Sequence, residues 1–210
     1  GVQRWYVMEH GKPLASDWND NDMNEVAQKL LELYRLFFNQ GLQTLISPLY
    51  SADLLTQADS EQRDNQLRRF AILTTHSDFL SFYEQFGVHV HFFGDFRRQL
   101  AGTRYAYLVQ QFERLSKHTR KNTRHRLFFG ILTGNAAENL ADLSVQHFIR
   151  TGKIPNRRTL MELYYGDYIE AADIFIGFDQ FRSADYPLLD LAEENLYFTV
   201  APSLSLTRDQ

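Results

Sequence analysis

The chain has 210 residues, of which 44% are hydrophobic and 14% aromatic, so it can bury a substantial core within one domain. Its formal net charge of −4 argues against a general nucleic-acid binder, because such proteins normally carry an excess of basic residues. It has no cysteine, which excludes disulfides and thiolate chemistry, and no apolar run approaches the roughly 20 residues of a membrane span.

Helical patterns alternate with short apolar runs along the chain. Apolar residues spaced three and four apart predict amphipathic helices, and short continuous apolar runs predict buried strands. In chain order the predicted elements are a helix over 22–40, a strand over 42–48, a helix over 61–86 with a break near 75–78, a strand over 88–93, a helix over 98–116, a strand over 126–132, helices over 135–149 and 157–168, and strands over 172–178 and 195–200.

Capping residues mark where several of the helices begin and end. Asp22 with Glu25, and Asn135 with Glu138, match the pattern in which a side chain at the helix start bonds a backbone N–H three residues on. Gly41 suits the end of the first predicted helix, because glycine adopts the left-handed conformation at little cost.

This alternation is typical of a parallel sheet with helices on both faces. We expect an α/β fold in which residues 1–210 form a single domain, with about six mostly parallel strands flanked by helices. Ligands of such sheets bind beyond the carboxyl ends of the strands. The candidate site loops are therefore those after Pro48, Phe93, Leu132, Phe178 and Val200, together with the start of the chain if it follows a first strand.

Three polar clusters each have two interpretations. His89 and His91 share one face of a predicted strand, and structural roles are favoured over metal binding because no third ligand is evident. The basic stretch 117–126 is expected to be a solvated loop, with an anion or nucleotide site as the alternative. For a group of three aspartates, helix capping and a solvated turn are favoured over a metal or proton-acceptor role: Asp17, Asp20 and Asp22.

Three stretches resemble the motifs of a known enzyme family. Gly1-Val2-Gln3-Arg4-Trp5 resembles the end of the Asp-Gly-Asn-Gly-Arg-Trp diphosphate loop of the cis-prenyltransferases. The stretch 45–53 stands where that family has its second strand and a Phe-Ser-x-Glu turn. The stretch 195–199 resembles the closing Glu-Leu-Tyr-Phe-Thr strand, and the spacing and helix order agree over nearly the whole chain.

One branch of that family, the tuberculosinol and kolavelool diterpene synthases, is matched more closely. The matching sequences are ISP at 46–48, FGD at 93–95, YYGDY at 164–168, FIGF at 175–178 and YFTVAPS at 197–203. The resemblance implies an enzyme that ionises a prenyl diphosphate, such as a bicyclic diterpenyl diphosphate, and quenches the cation with water or by deprotonation. It also implies a homodimer, and a branch member transfers the prenyl group to adenosine. We expect a cytoplasmic protein with no integral membrane segment and no nucleic-acid partner.

The resemblance places the diphosphate at the start of the chain. Gly1, Val2, Gln3 and Arg4 are the expected binding residues, since backbone N–H groups before a helix cradle phosphates and an arginine adds a forked contact. Arg4 and Asp22 are the expected catalytic residues. Arg4 would stabilise the leaving diphosphate, and Asp22 aligns with a catalytic tyrosine of the branch.

An apolar pocket is expected to hold the hydrocarbon, lined by Trp5, Pro48, Tyr50, Phe93, Phe178 and Phe181. The metal ligands are unknown: Asn195 aligns with a family glutamate, and Glu194 is beside it. Mg²⁺ is still expected, because one or two carboxylates and a diphosphate are enough to hold it.

Departures from the family pattern separate this chain from the chain-elongating members. Their Arg-Thr-Gly-Gly-Glu motif, which binds a second diphosphate, aligns with 177–181, so that Gly177 replaces the arginine. Leu54 stands where they use an asparagine. The family's aspartate would precede Gly1, and we expect it to have been trimmed. Two alternatives stay open: a cis-prenyltransferase that condenses prenyl diphosphates, and a non-catalytic partner subunit of one.

Overall fold

The computed structural model describes residues 2–12, 18–51, 67–178, 186–189 and 195–208. The helices are α1 (Val2–His10), α2 (Asp20–Asn39), α3 (Ile72–Thr75), α4 (Ser77–Gln85), α5 (Phe96–Leu100), α6 (Ala106–Thr119), α7 (Ala136–Thr151) and α8 (Arg157–Tyr165), with a 3₁₀ helix at Ser203–Ser205. The strands are β1 (Thr44–Ser51), β2 (Val88–Phe93), β3 (His125–Thr133), β4 (Ile174–Phe178) and β5 (Asn195–Thr199). None of the described helices combines the length and apolar character needed to cross a membrane.

The described strands are all parallel and form two sheets. β3 lies between β1 and β2, with Thr44 opposite Arg126, and β4 pairs with β5, with Ile174 opposite Asn195. The predicted α/β class with parallel strands is confirmed. The expected count is wrong for the described residues, because they form sheets of three and two strands rather than one sheet of about six.

Helices cover both faces of the three-stranded sheet. One face packs against α2, α4 and α6 in the larger core, to which the strands contribute Val88, Val90, Phe92, Leu127, Phe129 and Ile131. The opposite face packs against α8 in a smaller core that includes Phe93, Phe128, Met161, Tyr164 and Tyr165. β2 and β3 are therefore mostly apolar, since both of their faces are covered by helices.

Side-chain caps explain where the helices begin. α2 is capped by Asn19, whose side chain accepts hydrogen bonds from the N–H groups of Asn21 and Asp22. The predicted cap, Asp22, is instead the third helical residue, and its Oδ2 accepts a hydrogen bond from the Asn19 N–H at 3.1 Å. Asn135 caps α7 as predicted. Gly41 follows α2 at a φ of +94°, which agrees with its expected role at the helix end.

Two predicted elements have different bounds in the structure. Residues 2–5, expected as a loop, form the first turn of α1. The single helix predicted over 98–116 is split, because α5 ends at Leu100 and α6 begins at Ala106. Gly102 lies in the break with a φ of +71°, a conformation that ends a helix.

The basic stretch 117–126 is not one solvated loop. Its first residues end α6, and its last two, His125 and Arg126, lie in β3. Arg126 donates from Nε to Thr44 Oγ1 at 3.2 Å and from Nη1 to the Tyr168 carbonyl at 2.7 Å. The part of the stretch that lies in β3 therefore has a structural role.

His89 and His91 share one face of β2, as predicted. The Nε2 atom of His91 lies 3.1 Å from Nδ1 of His89, and its ring stacks on Phe128 with centroids 4.3 Å apart. The carboxylate of Asp167 is 3.9 Å from His91 Nε2. Burial, and then the charge of His89, lower the pKa of His91 to about 4, so the folded protein holds this ring neutral.

The buried neutral His91 predicts a loss of stability in acid. The unfolded chain binds a proton at this histidine below about pH 6.5, whereas the folded protein does so only near pH 4. The free energy of unfolding therefore falls as the pH drops from 6.5 towards 4, by about 2–3 kcal/mol from this group. Urea denaturation at pH 7.5 and 4.5 measures this loss. His91→Gln should lose correspondingly less over the same interval, and an equal loss in both proteins would contradict the prediction.

Candidate active site

A glycine turn closes the carboxyl end of β2 against β3. Gly94 has a φ of +107°, and a Cβ at this position would lie 2.2 Å from the Ile131 carbonyl oxygen. The next residue, Asp95, donates its backbone N–H to the Leu132 carbonyl at 3.2 Å. Only glycine allows this approach, so the turn is fixed at the sheet edge where ligands of parallel sheets bind.

The facing end of β3 carries backbone strain. Leu132 has a φ of +53° although it is not a glycine, and its side chain is fully buried. Such a conformation costs about 1–3 kcal/mol and persists only where surrounding contacts impose it, often at functional sites. The hydrogen bond from the Asp95 N–H to the Leu132 carbonyl joins the glycine turn to this strained residue.

Helix α1 places the predicted diphosphate residues next to a buried aromatic pair. Arg4 is exposed, whereas Trp5 and Tyr6 are buried in the larger core with ring centroids 6.2 Å apart. The buried indole N–H of Trp5 has no hydrogen-bond partner among the described residues.

Asp22 is joined to α1 by a residue that the sequence interpretation missed. The Tyr6 hydroxyl donates a hydrogen bond to Asp22 Oδ1 at 3.0 Å, across 16 residues of sequence. Burial raises the pKa of Tyr6, and the hydrogen bond to Asp22 and its charge raise it further. No local pattern marks Tyr6, since its partner is brought to it by the packing of α1 on α2. The pair is chemically a carboxylate base in contact with a phenol.

A second polar contact ties α1 to α2 one turn further along. His10 Nε2 lies 2.7 Å from Glu25 Oε1, and the His10 ring lies over that of Tyr6 with centroids 4.1 Å apart. Each of the two contacts joins an aromatic ring of α1 to a carboxylate of α2. Glu25 therefore provides a matched comparison for Asp22.

A buried arginine lies close to the start of α2. The Arg69 guanidinium stacks on the Trp18 ring, 3.8 Å from its centroid, and Arg69 is only 8% exposed. A guanidinium is weakly hydrated and stacks well on aromatic rings, which makes such burial tolerable. The sequence interpretation did not single out either residue.

The expected pocket residues fall on different sides of the sheet. Phe93 is 1% exposed and its ring contacts Tyr165 at a centroid distance of 4.9 Å in the smaller core. Pro48 and Phe93 are brought together over Gly130, where a Cβ would lie 3.0 Å from Pro48 Cα and 2.8 Å from Phe93 Cζ. Trp5 belongs to the larger core instead.

Several predicted residues lie outside the described part of the chain. They are Gly1, Leu54, Phe181 and Glu194, the acidic-cluster member Asp17, and the side chains of Gln3, Tyr50 and Phe178. The main chain of Phe178 is described and lies opposite Thr199.

The described residues do not supply a metal site. They contain no group of three or more His, Cys, Asp and Glu side chains that could hold a metal ion. Asp95, at the carboxyl edge, already accepts hydrogen bonds from Arg98 Nε and Gln99 Nε2. Asp22 is likewise engaged by Tyr6 and by the helix cap. Mg²⁺ stays a prediction of the sequence.

Comparison with known proteins gives one close relative and one fold. No family model matches the chain. The tuberculosinyl adenosine transferase of Mycobacterium tuberculosis (strain CDC 1551 / Oshkosh) is 38% identical over 208 residues, which are 99% of this chain and 68% of that protein. The crystal structure of a probable undecaprenyl diphosphate synthase from Campylobacter jejuni has a TM-score of 0.64 with 17% identity, covering 92% of this chain and 86% of that one. The second likeness shows the fold alone.

Substitution of Gly94 tests the closed turn. We expect Gly94→Ala to destabilise the protein by at least about 3 kcal/mol, because the added methyl group meets a carbonyl oxygen of β3 and the positive φ is strained. Gly152→Ala is the matched control, since Gly152 also has a positive φ but open space around it; about 1 kcal/mol is expected there. Urea denaturation measures both, and equal losses would show that the close approach is absent.

Proposed function

The chain belongs to the family of the tuberculosinyl adenosine transferase, and from this we propose that it acts on a prenyl diphosphate by breaking the C–O bond to the diphosphate. The favoured substrate is a bicyclic diterpenyl diphosphate. Water attacks the allylic cation, and the products are a diterpene alcohol and pyrophosphate. The fold shared with a probable undecaprenyl diphosphate synthase supports a substrate of the prenyl diphosphate class.

The packing at Gly177 supports ionisation of one prenyl diphosphate rather than chain elongation. Gly177 aligns with the arginine that binds the second diphosphate in elongating members. A Cβ on Gly177 would lie 2.8 Å from Phe198 Cε1, so the ring of Phe198 occupies the space that a longer side chain needs. A second diphosphate would thus lack its cationic partner, and a desolvated phosphate without one is costly. One substrate site is what the proposed reaction needs.

The start of α1 is assigned to the diphosphate. The backbone N–H groups of a first helical turn have no partner within the helix and carry its positive dipole end. In α1 that turn begins at Val2 and contains Gln3 and Arg4. These groups and Gly1 are proposed to bind the diphosphate oxygens. As the C–O bond breaks, its electron pair leaves with the diphosphate, and the cationic side chain of Arg4 stabilises the negative charge that develops.

The Tyr6–Asp22 pair is assigned to the quench. A water oxygen adds to the allylic carbon and must lose one proton. The Tyr6 oxygen can accept that proton while its own hydroxyl proton passes to the Asp22 carboxylate, which is 3.0 Å away. At the end of the step Asp22 is protonated and Tyr6 carries a hydroxyl proton again. Asp22 is thus proposed to be catalytic, as expected from its alignment with a catalytic tyrosine of the branch.

A second candidate is transfer of the prenyl group to adenosine, which the name of the 38% identical relative favours. Both reactions share the ionisation step and differ only in the nucleophile. Condensation with a second prenyl diphosphate is the third candidate, and Gly177 argues against it. A non-catalytic partner subunit is the fourth.

The homodimer also stays a prediction. Its support is apolar exposure late in the chain, where β5 exposes Leu196, Tyr197 and Phe198 and α7 exposes Val145, Phe148 and Ile149. Large apolar side chains that are exposed in a single chain are candidates for burial in an interface.

Arg4→Ala should lower turnover about 10²–10³-fold, because one preorganised donor to the leaving group is lost. The fold should persist, since Arg4 is exposed. Pyrophosphate release with a bicyclic diterpenyl diphosphate measures the rate, and Arg150→Ala, an exposed arginine of α7, is the control. Unchanged turnover in folded Arg4→Ala would remove Arg4 from the mechanism.

Tyr6→Phe and Asp22→Asn should each lower the rate of alcohol formation about 10²-fold, as expected for loss of a positioned proton acceptor. The double variant should be no slower than either single variant, because the two groups act as one unit. Glu25→Gln breaks the other carboxylate contact between α1 and α2 and should leave the rate near that of the unmodified protein. If Glu25→Gln is as slow as Asp22→Asn, the role of these carboxylates is only to hold α1 in place.

Incubation with defined substrates tests the proposed function itself. Farnesyl, geranylgeranyl and bicyclic diterpenyl diphosphates are supplied alone, with adenosine, or with radiolabelled isopentenyl diphosphate. We expect pyrophosphate and a diterpene alcohol from the bicyclic substrate, and no label in any longer chain. A prenylated nucleoside in the adenosine arm would establish transfer to adenosine. Label in a polyprenyl product would establish condensation of prenyl diphosphates. Absence of turnover in every arm would favour the non-catalytic partner subunit.

A further inference from the structure

The helices α1 and α2 lie side by side and run in the same direction. Tyr6 contacts Asp22, and the next contact, one turn further along both helices, joins His10 to Glu25. In an antiparallel pair the second contact would move backwards along α2, whereas here it moves forwards. The amino ends of the two helices therefore lie at the same end of the pair.

This register, extended by one turn towards the amino ends, places Trp18 beside the start of α1. Val2 is four residues before Tyr6, and Trp18 is four residues before Asp22. Val2 and Trp18 are both partly buried against the larger core, which agrees with the register. The Arg69 guanidinium stacks on Trp18, 3.8 Å from the ring centroid. A cation of α3's leading segment therefore lies level with the first turn of α1.

The connectivity also places Arg69 towards the carboxyl edge of the sheet. β1 ends at Ser51, and α3 and α4 return the chain to the start of β2 at Val88. A crossover between parallel strands begins beyond the carboxyl end of one strand and finishes at the amino end of the other. Arg69, three residues before α3, belongs to the early part of this crossover. The start of α2 lies at the same edge, because α2 leads into the amino end of β1.

Buried hydrogen-bond donors collect at this end of the helices. The indole N–H groups of Trp5 and Trp18 are buried and have no partner in the part of the chain that the structure describes. The carboxylate of Asp22 already accepts hydrogen bonds at both oxygens, from the Tyr6 hydroxyl and the Asn19 N–H. A ligand that suits this place supplies acceptor oxygens and negative charge, which are the properties of a phosphate group.

We propose that Arg69, held against Trp18, binds the substrate diphosphate together with Arg4. This assignment rests on the proposed function. Stacking uses the face of the guanidinium and leaves the N–H groups in its plane as donors to phosphate oxygens. Arg69 is only 8% exposed, so solvent screens its charge less than that of the exposed Arg4. A diphosphate carries more than one negative charge, and two arginines neutralise it better than one.

Binding of inorganic pyrophosphate, the leaving group, tests the proposal without turnover. Isothermal titration calorimetry compares the unmodified protein with Arg69→Met, which removes the charge but keeps a side chain of similar shape. We expect binding to weaken about 10–100-fold, as for loss of a hydrogen bond to a charged group. Arg35→Met is the matched control and should bind as the unmodified protein does. Arg35 also lies over an aromatic ring, 6.0 Å from the centroid of Phe82, but in the second half of α2.

Conservative variants separate contact with the diphosphate from support of the fold. Arg69→Lys keeps the charge without the planar donors and should recover part of the binding that Arg69→Met loses. Trp18→Phe keeps a ring for stacking and should weaken pyrophosphate binding less than Trp18→Leu. Thermal denaturation shows which variants fold. If Arg69→Met does not fold, Arg69→Lys is compared with the unmodified protein and should bind pyrophosphate several-fold more weakly.

Three outcomes would overturn the proposal. Folded Arg69→Met could bind pyrophosphate as tightly as the unmodified protein while Arg4→Ala binds it more weakly, in which case Arg69 has no part in the site and the proposed function stands. Arg69→Met and Arg35→Met could weaken binding equally, which would show only a general effect on the fold. The unmodified protein could fail to bind pyrophosphate, and its release from the bicyclic substrate would then decide separately whether the proposed function holds.

Discussion

Burial of β3 on both of its faces is the constraint on which the described fold depends. Its nine residues pair with β1 on one side and β2 on the other, and nearly all are inaccessible to solvent. A strand in this position satisfies its peptide groups only through parallel neighbours and must be covered by helices above and below. Gly130 lies in β3 where the neighbouring strand and the ring of Phe93 come closer than a side chain would allow.

The two faces of that sheet have different chemistry. The face under α2, α4 and α6 is apolar and aromatic, whereas the opposite face carries His89, His91 and Arg126 towards the amino ends of its strands. Asp167 lies between two of these groups, 3.9 Å from His91 and 3.6 Å from Arg126. These polar contacts lie on the face opposite the larger core, while the glycine turn and the strained Leu132 lie at the carboxyl ends of the strands.

Asp22 links helix stability to the candidate chemistry. One carboxylate oxygen belongs to the capping box of α2, and the other accepts the hydroxyl of Tyr6. The cap fixes the position of the carboxylate without occupying both of its oxygens. A group held in this way keeps its orientation towards α1, which is the preorganisation that proton transfer requires. The capping role of Asp22 is therefore compatible with its proposed catalytic role.

The sequence determined the class of the fold, the bounds of β2, and the glycine that ends α2, because these follow from apolar spacing and local backbone preferences. It also identified the family, which the 38% identical relative confirms. The choice of Asn19 rather than Asp22 as the cap of α2 is a local feature, since the two residues are three positions apart. Only the tertiary structure decided that Tyr6 contacts Asp22 and that Phe93 packs against Tyr165. Contacts of this kind join residues far apart in the chain, and no local pattern encodes them. The separation of β1 from β4 has the same origin, since strand pairing depends on which edges meet in space.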